Sequence, residues 1–422
     1  MVVKVNNLVS LEEAQGIALA AAAPLATEKV QLEDAGGRVL AEEVRALRDE
    51  PPSTQAAMDG YAIHSGDVDS VSSDKPVFLP VVGTVGPGQH INKEVRRKEA
   101  IRVMTGALLP AGADAVVPHE MTEIDGERIV IRTIVVPGDY LIPAGAELQI
   151  NQHLLSGSTV LGAKELTILA TQGYSTIEVH RQPVVAVLAT GSELVEVGKT
   201  LDRDRVFASN LHTVSHLVNH YGGRARVLGV AGDRVERLAG FIEKGSKADV
   251  IVTTGGTGKG EKDLVSRAIR TLGGDVLFHG VDMSPGKQAL FAKLDGTLLF
   301  GLPGRPAATY IAFEQLVRPV LLHMLGLSQV FLPETSAVLN GSVKVRGKLL
   351  SFLFGRLNFG PAGLEVESLR SEKKGILSEM LAANCLLQVP PGRDRLDKGE
   401  RVTIQLLDLG LAGLSYFQVP PH

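Results

Sequence analysis

The chain has 422 residues, 44% of them hydrophobic, 21% charged and 4% aromatic, with a net charge of −4. That length sets a prior of roughly two to four domains, and the balance is that of ordinary soluble globular material. The 43 basic residues occur in no run longer than three, which argues against a nucleic-acid binder driven by bulk charge and confines any anion site to a local feature. Cys385 is the only cysteine, which excludes an intramolecular disulfide and a Cys-cluster zinc site and fits a reducing, cytoplasmic compartment.

In chain order, the alanine-rich IALAAAAPLA stretch follows Glu12 and Glu13 where a signal peptide carries positive charge. It reads instead as a helix over residues 10–23, with Ser10 as N-cap and Glu13 completing a capping box. No segment is long and apolar enough to span a membrane. From Pro51 to Gly138, short β-branched runs broken by Gly and Pro predict an all-β module. Residues 162–173 return to helix and stop at Gly173. The expected division is a discontinuous helical domain (1–50 with 139–181), its two helical segments paired, with the β module (51–138) inserted.

From Pro183, the runs PVVAVLATG, RVLGVAG, ADVIVTTG, DVLFHGVDM and TLLFGLPG alternate with helical runs from Asn210, Val235, Lys262 and Pro306. Five strands with intervening helices predict a doubly wound α/β/α domain over 182–328. Short strands after Pro333 then predict a β-rich domain over 329–422. No internal repeat or long linker is present.

The segment ADVIVTTGGTGKGEKD (248–263) carries the sharpest chemistry. A strand empties into four glycines before a helix, and at that edge of an open sheet backbone N–H groups approach anions closely. Gly255 and Gly260 have Walker A spacing, but Glu261 and Lys262 stand where Lys and Ser/Thr are required. Gly256, Gly258 and Gly260 form G-x-G-x-G, which fails the Rossmann fingerprint at its third glycine. The plain alternative is a glycine-rich turn with no ligand. The other strand ends bring Thr190 with Glu193, Asp233, Lys287 and Arg305 to the same edge. Glycine turns and Lys287 suit a phosphate, while Glu193, Asp233 and Asp263 suit a hard cation such as Mg²⁺ bridging phosphate oxygens. Taken singly, each acid is more simply a helix cap or solvated turn.

Upstream, AAMDGYAIH (56–64) places Asp59 in a turn among apolar residues, which predicts a carboxylate on a largely buried frame. Thr105-Gly106 forms a tight turn after another strand. His212, His216 and His220 share one helix face with zinc-type donors, but HExxH is absent and ordinary surface histidines are the expectation, with His212 nearest any ligand.

AMDGYA (57–62), IRVMTGALLPAGADAVVPHE (101–120), ATGSEL (189–194), SN (209–210), GG-x-x-x-G-x-x-D (255–263), PGK (285–287) and GLPG-x-P (301–306) together resemble the molybdopterin molybdenumtransferase family, of the MoeA and gephyrin E-domain type. The ordered motifs cover nearly the whole chain. The resemblance implies four domains, including a helical dimerisation domain, a molybdopterin-binding α/β domain and a C-terminal β-barrel-like domain. It also implies a homodimer with its site shared between the β module of one subunit and the α/β domain of the other. The implied reaction cleaves adenylylated molybdopterin with Mg²⁺, releases AMP and inserts molybdate at the dithiolene. By position, Asp59, Thr105, Glu193, Asp233 and Asp263 match catalytic residues, with Asp59, Asp233 and Asp263 on the metal. Thr190, Ser209, Asn210, Gly255, Gly256, Thr257, Lys287, Pro303 and Arg305 match the pterin phosphate pocket. Implied partners are a second copy, other cofactor-synthesis proteins and recipient molybdoenzymes, with no nucleic acid and no membrane.

The chain departs from the family pattern at Ala56, Glu147, Gly258, Ser284 and Arg305. Two basic contacts to an anion are gone, at the N-x-R segment before Glu147 and at Ser284, and Arg305 adds one. A charge-assisted hydrogen bond is worth ~1.5–3 kcal/mol. The alternative is therefore a non-catalytic paralogue that binds molybdopterin or finished cofactor as carrier or regulator, and a more remote one is a dimeric scaffold.

Overall fold

The computed structural model describes residues 8–89, 92–258, 260, 263–345, 347–360, 363–370 and 375–409. The first seven residues, those from 410 onward, and Lys259, Glu261 and Lys262 of the glycine segment lie outside them. Two compact units are formed. One holds the described residues of Met1–Glu42, Ser156–Thr167 and Tyr174–His422, the other those of Glu43–Leu155 and Ile168–Gly173. No helix among the described residues is long and apolar enough to cross a membrane.

The larger unit opens with the helix Leu11–Ala21, where Ser10 accepts the Glu13 N–H at 3.0 Å and satisfies one of the donors a helix start leaves open. Ala14 and Ala18, one turn apart, join a core with Val317, Val320 and Leu321. Thr27–Gln31 pairs antiparallel with Thr176–His180. The two flanks expected to meet as helices are thus joined by strands, with Ile177 and Val179 on the buried side and Thr176, Glu178 and His180 on the other. The helix Ala163–Gln172 ends at Gly173, whose φ of +85° supplies the left-handed stop.

The central sheet has six strands in the order Arg224–Val230, Val184–Ala189, Val250–Thr254, Thr297–Leu302, Leu290–Leu294 and Asp275–His279. The first four run parallel, and the last two are added antiparallel. Along Val184–Ala189, Val185 and Val187 face Leu211, Val214 and Val218 of the helix Ser209–His220. Ala186 and Leu188 face Leu238 and Ile242 of Val235–Gly245 and Val265 and Ile269 of Leu264–Thr271. Burial on both faces is why these strands read as unbroken apolar runs, and the three layers are the doubly wound arrangement expected. The strand Leu290–Leu294 was not expected. It forms a hairpin with Thr297–Leu302 across Asp295-Gly296, both at positive φ, the Asp-Gly pairing favoured by a tight hairpin turn.

Glu334–Leu339, Gly363–Ser368, Leu350–Gly360, Cys385–Val389 and Arg401–Leu406 close into a five-stranded barrel. Its interior holds Leu353, Val366, Leu387 and Ile404, together with Cys385, whose thiol burial pushes up to about 12 and makes inert. Phe352, Phe354 and Leu386 instead join the core containing Tyr310 and Ile311. That shared core is why no unit boundary falls near residue 328.

In the smaller unit six strands run in the order Ala115–Pro118, Gly60–Ile63, Ala100–Val103, Val77–Val85, Arg128–Ile131 and Thr122–Asp125. Tyr61 and Ile63 line one core while Ala62 lines the other. Val44–Arg45 pairs with His153–Leu155 in a separate two-stranded sheet of the same unit.

Candidate functional site

The carboxyl ends of the four parallel strands open onto a cleft of about 850 Å³. Its walls include Thr190 and Glu193, Ser209 and Asn210, Asp233, and the Gly255–Gly258 turn. The turn requires its glycines. Gly255 and Gly256 have φ of +86° and +66°, and a Cβ on them would lie 2.4 Å from the Thr190 carbonyl oxygen and 2.6 Å from Thr190 Cγ2 respectively. Only a bare backbone fits so close to the neighbouring strand end.

Side chains then lace the strand ends together. Thr190 Oγ1 donates to the Gly232 carbonyl at 2.7 Å, and Asp233 Oδ2 accepts the Ser192 N–H at 2.9 Å. Asn210 Nδ2 donates to the Gly304 carbonyl at 2.8 Å. Asn210 is 7% exposed, and its Oδ1 is buried with no hydrogen-bond partner, an acceptor whose orphaning is costly unless a donor arrives. Glu193 and Asp233 are exposed within the cleft.

Asp263 takes a different position. It caps the helix Leu264–Thr271 by accepting the Ser266 N–H at 3.2 Å, and its Oδ2 lies 3.4 Å from His279 Nδ1. Burial alone would push this carboxyl up, but hydrogen bonds from His279 and Ser266 outweigh it and hold it below the ordinary aspartate value. His279 is lifted above the ordinary histidine value, first by its hydrogen bond with Asp263 and against burial.

In the smaller unit the structure joins Asp59 and Thr105, as Asp59 Oδ1 accepts both the Thr105 N–H at 2.7 Å and its hydroxyl at 2.8 Å. The Thr105 backbone hydrogen bond, then the hydroxyl, lowers the Asp59 carboxyl below its usual value. The frame is less buried than expected. Tyr61, Ala62 and Ile63 are buried, but Asp59 and Met58 face solvent. Ala56 is fully buried and its carbonyl accepts the Gly106 N–H, so its backbone sets the Thr105 turn, while Glu147 is exposed.

Among the described residues no three His, Cys, Asp or Glu side chains are grouped to hold a metal ion. Within the smaller unit Asp59 is engaged by Thr105, and within the larger unit Asp263 is engaged by Ser266 and His279. His212, His216 and His220 likewise form no metal cluster. His216 and His220 stack at 5.8 Å, and His212 is exposed and outside the cleft walls. Lys287, Pro303 and Arg305 are not wall residues, although their neighbours Gln288, Gly304 and Pro306 are, and Ser284 borders a separate cavity. Sequence reasoning missed Gln288, Phe207 and Leu377 in the walls. Phe207 lies two residues before Ser209, so its closeness in sequence to the Ser209-Asn210 segment was the available signal. Leu377 comes from far along the chain, and no local pattern points to it.

Three family models match the chain: the MoeA N-terminal region (domain I and II) over residues 9–173, a probable molybdopterin binding domain over 186–323, and the MoeA C-terminal region (domain IV) over 336–407. A molybdopterin molybdenumtransferase from Nostoc sp. is 31% identical over 389 residues, covering 91% of this chain and 89% of the relative. One from Staphylococcus aureus is 30% identical over 409 residues, covering 97% and 98%. The crystal structure of a molybdopterin biosynthesis MoeA protein from Pyrococcus horikosii superposes with a TM-score of 0.85 at 31% identity, over 95% of this chain and 100% of that one. The chain belongs to the MoeA family of molybdopterin molybdenumtransferases.

Proposed function

We propose that this protein is a transferase of molybdenum cofactor biosynthesis that cleaves adenylylated molybdopterin, releases AMP and inserts molybdate. The observation carrying this reading is the cleft itself, a bare-backbone glycine turn facing two exposed carboxylates, Glu193 and Asp233, in one cavity. The turn accepts phosphate oxygens at backbone distance, and the orphaned Asn210 Oδ1 offers an acceptor to an N–H of a heterocycle. Cleavage adds water across the phosphoanhydride, giving AMP, the pterin phosphate and a proton released to solvent.

Two carboxylates suit Mg²⁺, which keeps several waters and binds through one or two carboxylates plus substrate phosphates, so a cluster of three protein ligands is not needed. Glu193 and Asp233 would hold the ion, which when bound neutralises charge on the anhydride. Gly255 gives its own N–H to the Leu302 carbonyl and so fixes the turn, the bare Gly255-Gly256 backbone leaves room for the phosphates, and Thr190 and Asn210 keep the strand ends fixed around them. Asp59 and Thr105 form a pre-set pair that, in a homodimer, would serve the cleft of the second copy.

The test mixes purified protein with adenylylated molybdopterin, Mg²⁺ and molybdate, following AMP release and activation of a cofactor-free molybdoenzyme, with Asp233→Asn as control. Expected is AMP release that a chelator abolishes and the variant loses. Tight binding without AMP release would sink the transferase reading and leave a carrier of molybdopterin.

A further inference from the structure

Behind the cleft wall, His279 touches both ends of the glycine segment at once. It is the last residue of the edge strand Asp275–His279, and its side chain is 12% exposed. Its Nε2 lies 3.2 Å from the Thr257 carbonyl oxygen, and its Nδ1 lies 3.4 Å from both Asp263 Oδ2 and Ser266 Oγ. Thr257 and Asp263 are themselves joined by an isolated β-bridge, so His279 closes the neck of the segment a second time. A carbonyl only accepts, so Nε2 carries the hydrogen, and the ring is oriented by its partners on both sides. Thr257 is a cleft wall residue and 2% exposed, whereas His279 is not part of the wall.

We propose that His279 is a positioning residue for adenylate cleavage, holding the Thr257 end of the glycine turn and the Asp263 helix cap at a fixed separation. This rests on the reading of the cleft given under Proposed function. Because His279 acts through the turn and does not touch substrate, its loss spares substrate binding and lowers the chemical step, where small misplacements are expensive. Residues one shell behind a reacting site typically contribute ~10–100-fold.

The experiment follows Mg²⁺-dependent AMP release from adenylylated molybdopterin by wild type, His279→Ala, His279→Gln and His279→Asn, with melting curves for each. Gln reaches toward the Thr257 carbonyl and Asn toward Asp263, so each keeps one arm of the grip. Expected is a kcat lower by ~10–100-fold in the alanine variant with KM within ~3-fold, and partial recovery in Gln and Asn. An alanine variant with kcat within ~2-fold of wild type, or a loss confined to KM, would overturn the proposal while leaving the transferase reading intact. So would Gln and Asn variants that melt like wild type yet recover nothing. Should the alanine variant fail to fold, Gln and Asn against wild type decide by the same kcat criterion. Wild type that releases no AMP overturns the parent reading and this one with it.

Discussion

Two acids in the larger unit, Asp263 at a helix start and Glu314 in the core, are both paired, yet pairing wins at the first and burial at the second. Glu314 sits in a single turn of π-helix, Phe313–Val317, and is 1% exposed. The Tyr221 hydroxyl lies 3.1 and 3.0 Å from its two oxygens, and Arg318 Nε is 3.7 Å away. Burial still pushes the Glu314 carboxyl up to about 7, with Arg318 and Tyr221 offsetting only part and Asp408 adding to the rise. Asp263 also has two partner residues, Ser266 and His279, but keeps 20% of its side chain exposed and accepts a backbone N–H at a helix start, so its carboxyl is held low. The number of partners therefore predicts less than how much water the site retains, since a fully dehydrated pair recovers only part of its desolvation cost.

The sharpest way to break this contrast is to remove the core acid. Glu314→Ala leaves the fully buried Arg318 without its carboxylate and is expected to destabilise by about 3–5 kcal/mol in urea melts; a loss near zero would mean that the carbonyls of Val330 and Phe331 suffice for Arg318. At the cleft the largest effect should come from the backbone. Gly255→Ala puts a Cβ 2.4 Å from the Thr190 carbonyl at a φ of +86°, with an expected cost of about 2–4 kcal/mol and loss of AMP release.

Titration sharpens the same comparison, because the two acids contribute with opposite signs. Folded Glu314 holds its proton more tightly than the unfolded group, so its contribution is complete below the ordinary value of 4.5 and is lost as pH rises through about 7. Asp263 contributes fully above its unfolded value and loses that contribution as pH falls through its lowered folded value. Glu314→Gln should therefore flatten the fall in melting temperature between about pH 5 and about pH 7.5, and an unchanged profile would show that Glu314 is not the group responsible. Asp263→Ala removes a helix cap and is expected to cost about 1 kcal/mol, measurable as a shift in urea midpoint. Asp59→Asn should leave the urea midpoint close to that of wild type, its carboxylate being solvent-exposed, while still lowering AMP release.

The sequence by itself determined the alternation of strands and helices, the Ser10 cap, the Gly173 stop, the glycine turn and the family motifs, because each is written in residues a few positions apart. The hairpin at Asp295-Gly296 is equally local, an Asp-Gly pair between two apolar runs. Tertiary structure alone decided the rest. His279 is 16 positions from Asp263 and 22 from Thr257, and nothing between them encodes that strand pairing will set its ring against both. Arg318 lies beside the Glu314 carboxyl one helical turn away, but its complete burial depends on Tyr221 and the carbonyls of Val330 and Phe331 converging around it. Local propensity acts along the chain, whereas desolvation and hydrogen-bond partnership depend on which distant surfaces meet, as they do at Asp263 and Glu314.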